Sequence, residues 1–299
     1  MPARSVRSRA VALAPAGFVL TWSTGFVSAR YVTKDAGPFT FLFIRMAIAA
    51  ALLAGIAGLA RSPRPDRTGA TWAATIAIGL HVVYLGGVFV AIDLGMPTGL
   101  SALIAGLHPV VTAVAGWVLL GERLLRIHWF GVALGFTGVA LVVVERMEAG
   151  GVGEVPPAAL VAMALSVIGI SAGTLAQRAR GTTVPLLWGT VVQYIAAALL
   201  FGVAAATEGF ELHLTGRLIL GFAWAIVVLS IAAVLVMLWM LNHHAAARVS
   251  SLFFLTPALS TVEGALLFGE RLGALALVGL SVALAGVALT MRPSGAQPV

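Results

Sequence analysis

The chain has 299 residues, of which 60% are apolar and 10% are charged, and its mean hydropathy is +1.04. Soluble domains carry about 25% charged residues, so a chain this apolar could not cover its own surface in water. The composition excludes a soluble enzyme, a nucleic-acid binder and a disordered protein. The absence of cysteine excludes disulfides, thiolate catalysis and cysteine-ligated metal sites.

Apolar stretches long enough to cross a bilayer occupy nearly the whole chain. A membrane-spanning helix needs about 20 predominantly apolar residues, and every backbone polar group must be satisfied within the lipid. We therefore predict an all-α integral membrane bundle of ten transmembrane helices with no soluble domain. The ten predicted spans are residues 11–29, 37–60, 69–92, 97–120, 127–144, 156–177, 183–206, 218–241, 246–268 and 273–291.

The basic residues predict the orientation of these spans. Of the 18 lysines and arginines, twelve fall on the side of the N-terminus, five fall on the other side, and Arg45 lies within a span. Cytoplasmic segments are enriched in Lys and Arg, so we expect both termini to be cytoplasmic. The basic start and Val27-Ser28-Ala29 also fit a secretory signal peptide with its cleavage site, which is the alternative interpretation of the first span.

Small polar residues share one face of the first span, at Thr21, Gly25 and Ser28, with Trp22 beside them. Such a face either lines water or lets helices approach closely. Trp22 lies about seven residues from the outer end, too deep for an interfacial tryptophan. We predict that Trp22, and Trp224 in the eighth span, are substrate-binding cavity residues; the alternative for both is packing.

Arg45 in the second span and Glu263 in the ninth are the charged residues that lie away from span ends. Either ion at a helix centre costs about 2.5–3.5 kcal/mol on insertion scales. Each lies about six residues from the outer end of its span. We predict that they pair and face the bundle interior, as a structural tie or as an outer gate that breaks during a transport cycle.

Histidines and a tyrosine at mid-membrane are further candidates for solute binding. His81 lies at the centre of the third span, and Tyr84 follows on the same helical face. Polar groups at this depth are costly and are usually functional. We predict that both contact the solute; the alternative for His81 is a bond to a neighbouring helix. His108 either faces the same cavity or satisfies a broken helix turn before Pro109.

Pro109 and Pro257 sit near the middle of the fourth and ninth spans. Each proline removes a backbone donor and disturbs the carbonyl four residues before it, at Ala105 and Phe253. Paired interruptions in corresponding helices indicate the binding region of many transporters. We predict a hinge at both prolines; the alternative is a kink that serves packing.

Small residues also repeat at helical spacing in the fifth and tenth spans. Gly131-x-x-x-Gly135 and Gly279-x-x-x-Ala283 let helix backbones pack closely. The packing is either within the monomer or at an oligomer interface.

A shift of 148 residues superimposes the chain on itself. Gly121-Glu122-Arg123 falls on Gly269-Glu270-Arg271, and Pro109 falls on Pro257. This predicts two five-helix repeats, residues 11–144 and 156–291. Five is an odd number, so the second repeat enters the membrane from the opposite side, which is the inverted-repeat design of many secondary transporters.

At these residues the sequence resembles a known family. Ten helices in two halves, a proline in the fourth and ninth, and a Gly-Glu-Arg ending each of those helices resemble the EamA-type members of the drug/metabolite transporter superfamily. Within it, the chain looks most like the YddG-type exporters of aromatic amino acids. The resemblance implies export across a bacterial inner membrane from a cavity between the halves.

The predicted function is export of small amphipathic solutes, aromatic or hydrophobic amino acids, by alternating access. It needs a lipid bilayer and a solute but no cofactor, metal or nucleic acid, and a monomer suffices. A multidrug or other metabolite exporter is the alternative within the superfamily. An intramembrane enzyme is the alternative from another class, suggested by Gly99-Leu100-Ser101. The only titratable groups at depth are Glu263, His81 and His108, which favours facilitated diffusion or exchange over proton coupling.

Overall fold

The computed structural model describes residues 2–121, 124–148, 155–180, 184–243, 255–270 and 273–290, and these ranges are helical apart from short connections. We call residues 2–148 the N-terminal half and residues 155–290 the C-terminal half. The helices are α1 (Pro2–Val32), α2 (Pro38–Leu59), α3 (Arg67–Ala77), α4 (Tyr84–Asp93), α5 (Thr98–Ala105), α6 (His108–Leu120), α7 (Arg126–Glu148), α8 (Pro157–Arg180), α9 (Leu186–Ala205), α10 (Gly216–Ala223), α11 (Ala233–His243), α12 (Thr256–Phe268) and α13 (Ala274–Thr290).

Two π-helical segments lie inside longer helices. The first, π1 (Ile78–Val83), joins α3 to α4, and the second, π2 (Trp224–Ala232), joins α10 to α11. Seven helices in the described ranges are long and apolar enough to cross a membrane, and α13 is a shorter apolar helix. The chain is thus an all-helical membrane protein. The sequence predicts ten spans. The first, residues 11–29, lies within α1, and the described part of the ninth, residues 255–268, contains α12.

Helix starts follow local capping chemistry. Proline occupies the first turn of α2, α6 and α12, where its missing N–H costs nothing and its fixed φ suits the helix. The Asp66 carboxylate accepts a hydrogen bond of 2.7 Å from the Gly69 N–H at the start of α3. The Thr215 hydroxyl accepts one of 3.1 Å from the Leu218 N–H at the start of α10. These side chains satisfy donors that a helix N-terminus leaves open.

Helix ends recur at the spacing that the sequence predicts. Shifted forward by 148 residues, the bounds of α6 become those of α12, and the starts of α2 and α7 become the starts of α9 and α13. Shifted back by the same amount, π2 spans positions 76–84 and includes all of π1. Gly121 (φ +67°) and Gly269 (φ +65°) end α6 and α12 in the left-handed conformation, which glycine adopts without steric cost.

The packing between the halves is reciprocal. Helix α2 packs on α9, and α7 packs on α13; π1 lies on α8, as π2 lies on α1. Between α7 and α13, a Cβ added at Gly138 would clash with Gly279 O and the Ala283 backbone, and one at Gly286 would clash with Gly135. The small-residue pattern therefore brings two backbones together within the monomer, as one of the two alternatives predicts.

Charged contacts between the halves gather at one end of the bundle, which we call the Glu270 end. Arg30 forms an ion pair with Glu270, and Arg217 makes a bidentate pair with Asp35 at 2.6 and 2.7 Å. The hydrogen bonds from Arg217 hold the pKa of the Asp35 carboxyl below its usual value. Acidic side chains also cap helix starts of the other half: Glu208 caps α2, Glu270 caps α5 and Glu145 caps α13.

The opposite end, which we call the Arg180 end, is joined differently. The Arg64 guanidinium lies 5.1 Å from the centroid of the Trp188 ring, and that of Arg180 lies 5.3 Å from the centroid of Trp72. Each contact joins one half to the other. Both are cation–π contacts.

Candidate functional site

The two π-helical segments position the polar side chains at the middle of the membrane-spanning bundle. A π-helical turn widens the backbone to an i→i+5 spacing and is found mostly at functional sites. His81 belongs to π1, and Tyr84 begins the helix after it. Ser230 belongs to π2, where its hydroxyl donates to the carbonyl of Ala225, five residues back, at 2.9 Å. A π-helical segment in each half thus positions polar side chains at this site.

His81 contacts the C-terminal half. Its Nε2 lies 3.1 Å from Oε1 of Gln193, so the ring donates this hydrogen bond. The ring also meets the edge of Tyr194, with centroids 5.2 Å apart and planes at 71°. Gln193 and Tyr194 are adjacent on α9 and buried. The alternative that the sequence leaves open, a bond from His81 to a neighbouring helix, is present in this structure.

Arg45 reaches the same place from α2. Its Nε donates a hydrogen bond of 2.9 Å to the Ser230 hydroxyl, and Tyr194 donates one of 3.0 Å to the Ser230 carbonyl. Tyr84 and His81 lie within electrostatic range of the guanidinium. These residues, together with Gln193, form what we call the Arg45 cluster: Arg45, His81, Tyr84, Gln193, Tyr194 and Ser230.

His81 and Tyr84 keep part of their surface accessible, whereas Arg45, Gln193, Tyr194 and Ser230 are buried. The cluster holds three aromatic or heteroaromatic rings, a guanidinium, an amide and a hydroxyl. Such a set of side chains can bind a solute that has both a polar group and an apolar ring.

The predicted pair of Arg45 and Glu263 is not present. Glu263 lies beside α1, where its Oε1 accepts a hydrogen bond of 2.5 Å from Ser23, while Arg45 bonds to Ser230. Equal depth along two helices does not fix the faces they present. In this bundle α2 turns Arg45 toward α9 and π2, while α12 turns Glu263 toward α1. The other oxygen of Glu263 is buried without a hydrogen-bond partner.

His108 satisfies the broken helix turn, as one of its two predicted roles requires. The fourth span breaks into α5 and α6 at Gly106 and Leu107, and Pro109 occupies the first turn of α6. The carbonyl of Ala105 that the proline frees accepts a hydrogen bond of 3.2 Å from Nδ1 of His108. The corresponding carbonyl of Phe253 lies outside the described residues.

The two interrupted spans meet at their interruptions. A Cβ added at Gly106 would lie 2.8 Å from Cγ of Pro257, so this contact requires glycine. A narrow apolar cleft of about 10 Å³ lies at this contact, lined by Leu103, Leu107 and Leu284 among others. Pro109 and Pro257 therefore mark adjacent sites in space as well as matching sites in sequence.

The two tryptophans lie along α1, apart from His81. Trp22 packs against Phe18, with ring centroids 5.2 Å apart. The Trp224 indole donates a hydrogen bond of 2.9 Å to the Thr24 hydroxyl, and its side chain is 44% exposed. The structure thus separates the predicted binding residues into the Arg45 cluster, the broken turn at His108, and a row along α1.

Sequence reasoning missed three members of the Arg45 cluster. Gln193 corresponds to Arg45 across the 148-residue shift, so the repeat contained a signal that this position faces the same place. Tyr194 follows it and is one of only three tyrosines in the chain, which was a signal that could have been used. Ser230 carried no signal, because its role depends on the π-helical turn.

Comparison with known proteins assigns the chain to a family. The sequence profile of the EamA-like transporter family matches it twice, over residues 10–144 and 157–292. The chain belongs to the EamA-like transporter family. It is 26% identical over 289 residues to the protein called Uncharacterized transporter YvbV of Bacillus subtilis (strain 168), an alignment that covers 96% of this EamA-family chain and 93% of that protein. The family makes the chain a transporter, and its apolar helices make it a multi-pass membrane protein.

A solved crystal structure supports the fold. Its chain is 24% identical in sequence, and the superposition has a TM-score of 0.63 and covers 93% of this chain and 94% of that chain. At this identity the likeness shows a shared fold. Within the described ranges, no group of three His, Asp or Glu side chains comes together as metal ligands would.

Proposed function

We propose that this EamA-family transporter exports small amphipathic solutes, aromatic or hydrophobic amino acids, from the cytoplasm across the inner membrane. The observation that supports this proposal is the Arg45 cluster. It brings polar groups beside His81, Tyr84 and Tyr194, within a chain whose other charged residues, apart from Glu263, lie at or near span ends. A zwitterionic head group and an aromatic side chain match these two kinds of surface.

The proposed mechanism is alternating access between two inverted halves, with both termini in the cytoplasm. In the proposed arrangement the Glu270 end lies on the outer face and the Arg180 end on the cytoplasmic face. The contact between Gly106 and Pro257 supports a hinge role for the two prolines, because each proline lacks the N–H that a regular helix turn would use. Both halves are in one chain, so a monomer suffices.

Topology can be tested directly because the natural chain lacks cysteine. Arg123 and Arg271 correspond across the shift and both lie outside the described residues. We expect Arg123→Cys to react with a membrane-impermeant thiol reagent only from the cytoplasmic side, and Arg271→Cys only from the outer side. Labelling of both from one side would contradict the inverted arrangement.

Substrate class is tested by counterflow in proteoliposomes against aromatic amino acids, sugars and cationic drugs, with and without a pH gradient. We expect tryptophan and phenylalanine to exchange. His81→Ala and Tyr84→Phe should each lower the rate about tenfold, the value of a lost hydrogen bond or ring contact in a buried site. His213→Ala and Tyr31→Phe replace the same residue types at exposed positions and serve as matched controls. Unchanged rates in the first pair would remove the site.

A cationic drug is the second candidate, and one observation favours it. Glu263 has a buried oxygen without a hydrogen-bond partner, which is a place for a cation or a proton. Export of ethidium that is abolished by Glu263→Gln and unaffected by His81→Ala would favour this alternative.

A further inference from the structure

Arg45 is a buried cation without an acidic partner. Its residue surface is 7% exposed. Of its N–H groups, Nε donates to the Ser230 hydroxyl, and no acceptor among the described residues bonds either Nη atom. The ion pairs in the described ranges involve Arg30, Arg217 and His213 as cations, so Arg45 has no carboxylate within reach.

A guanidinium in this position needs an anion. An unpaired charge in an apolar interior carries a desolvation penalty of several kcal/mol unless a counter-charge or several hydrogen bonds compensate it. A tyrosine phenol is neutral at physiological pH, so Tyr84 and Tyr194 do not supply the charge. Neither Nη atom is among the buried polar atoms that are fully sealed without a hydrogen-bond partner, so both keep some accessible surface. The compensating charge can therefore come from a ligand.

The hydrogen bond from Nε leaves one edge of the Arg45 guanidinium, the edge formed by its two Nη groups, without a partner among the described residues. The Ser230 hydroxyl accepts from Nε and donates to Ala225 O, so both of its roles are filled. Ser230 itself is held by Tyr194, which donates to its carbonyl. With Nε bound, the two Nη groups form the remaining edge of the fork. That edge matches the two oxygens of a carboxylate, each accepting one hydrogen bond.

Among the described neighbours of Arg45, the opposite half offers no second cation. Gln193, which corresponds to Arg45, is neutral and bonds to His81. One guanidinium compensates a single negative charge, while phosphate groups are usually bound by several Arg or Lys side chains. The phenol of Tyr84 is within electrostatic range of the guanidinium, and no hydrogen bond to it is present among the described residues, so its O–H is available as a further donor.

We propose that Arg45, assisted by Tyr84, binds the carboxylate group of the transported solute through its two Nη groups. This inference rests on the proposed function and sharpens it: the site selects monocarboxylates, and the ring beside the carboxylate packs against His81 and Tyr194. Arg45 is thus a specificity-determining residue and not half of a structural ion pair.

The first test uses the natural chain and leaves its folding undisturbed. Binding to purified protein in nanodiscs is measured by calorimetry for phenylalanine, phenylacetate, phenylalaninamide, phenethylamine and phenyl phosphate. We expect phenylalanine and phenylacetate to bind about 10- to 100-fold more tightly than the amide and the amine, the factor for hydrogen bonds to a charged group. Equal affinity for acid and amide, tighter binding of the phosphate, or no binding of any carboxylate would overturn the proposal.

The second test changes Arg45. In Arg45→Gln, we expect the affinity for phenylalanine and phenylacetate to fall about 10- to 100-fold, while the affinity for phenethylamine is retained. Arg45→Lys should keep part of the preference for carboxylates over the amine, because lysine keeps the positive charge but loses the paired N–H groups of the guanidinium. Arg67→Gln removes an exposed arginine at the start of α3 and is the matched control. If Arg45→Gln binds carboxylates like the natural chain, the assignment is wrong.

Counterflow separates the two proposals. If the natural chain moves phenylalanine and Arg45→Gln moves it equally well, the export function stands and the Arg45 assignment fails. If the natural chain binds phenylacetate through Arg45 but transports no amino acid, the carboxylate site stands and the proposed substrate class fails.

Discussion

At the Glu270 end, charged side chains of one half bond directly to the other half, whereas at the Arg180 end the described contacts of this kind are arginines lying over tryptophan rings. Hydrogen bonds to charged groups contribute about 1.5–3 kcal/mol each, and exposed cation–π contacts about 0.5–1 kcal/mol. The Glu270 end also supplies carboxylates that cap helix starts across the halves. Among the described contacts, those at the Arg180 end therefore hold the halves together less strongly than those at the Glu270 end.

This difference fits the proposed direction of transport. A carrier that loads from the cytoplasm must open at the cytoplasmic end before it opens outward. In the proposed orientation, with the Glu270 end on the outer face, the ion pairs Arg30–Glu270 and Asp35–Arg217 join the halves on the outer side. In the proposed mechanism they separate for the solute to leave, so their strength would set part of the cost of outward opening.

Among the changes that test this difference between the two ends, removal of the Glu270 carboxylate should have the largest effect on stability. Its carboxylate accepts from the Thr98 N–H at 2.8 Å, the Thr98 hydroxyl at 2.8 Å and the Gly99 N–H at 3.1 Å, besides pairing with Arg30. Glu270→Ala leaves these donors without an acceptor, and we expect a loss of about 2–3 kcal/mol in the free energy of unfolding. Denaturant unfolding in detergent micelles measures it.

The control for this change is Glu211→Ala. Its carboxylate is 65% exposed and touches His213 at 3.5 Å, so its loss should alter stability by less than about 0.5 kcal/mol. Equal effects of the two variants would mean that the Glu270 contacts do not hold this end.

A smaller effect is expected from Glu208→Gln. The Glu208 carboxylate accepts from the N–H groups of Phe39 and Thr40, at 3.0 and 2.8 Å, at the start of α2. The amide keeps one acceptor but loses the negative charge at a helix N-terminus, so we expect a cost of about 1 kcal/mol. Thermal unfolding with Glu211→Gln as the matched variant checks it; a difference within error would show that the cap is not electrostatic.

Acidification should loosen the Glu270 end through Asp35. Because Arg217 lowers the pKa of this carboxyl from its ordinary value of 3.8, its stabilisation is present above that value and is lost as the pH falls through the lowered pKa. Asp35→Asn removes the stabilisation at every pH. We therefore expect the melting temperature of the natural chain to exceed that of the variant at pH 6 and the gap to close toward pH 3. A gap that widens on acidification would contradict the sign.

The smallest effect belongs to the Arg180 end. A double-mutant cycle of Arg64→Gln and Trp188→Leu isolates the cation–π contact from the other consequences of each change. We expect a coupling free energy of about 0.5–1 kcal/mol. A coupling as large as the loss in Glu270→Ala would remove the contrast between the two ends.

The sequence by itself determined the class of protein, the approximate helices and the 148-residue correspondence. Hydropathy measures whether a segment belongs in lipid, so span positions follow from composition alone. Proline and glycine act on the backbone locally, which is why the break before Pro109 and the left-handed end at Gly121 could be anticipated. His81 and Tyr84 were identifiable because polar groups at mid-membrane are rare and costly.

Only the tertiary structure decided which face each helix presents. The sequence gives the depth of Arg45 and Glu263 but not the rotation of α2 and α12, so it paired two residues that turn to different neighbours. The π-helical turns that place Ser230 depend on packing against the other half and leave no mark in the periodicity. The same holds for Glu270, whose partners Arg30 and Thr98 are about 240 and 170 residues away and meet it only when the two halves assemble.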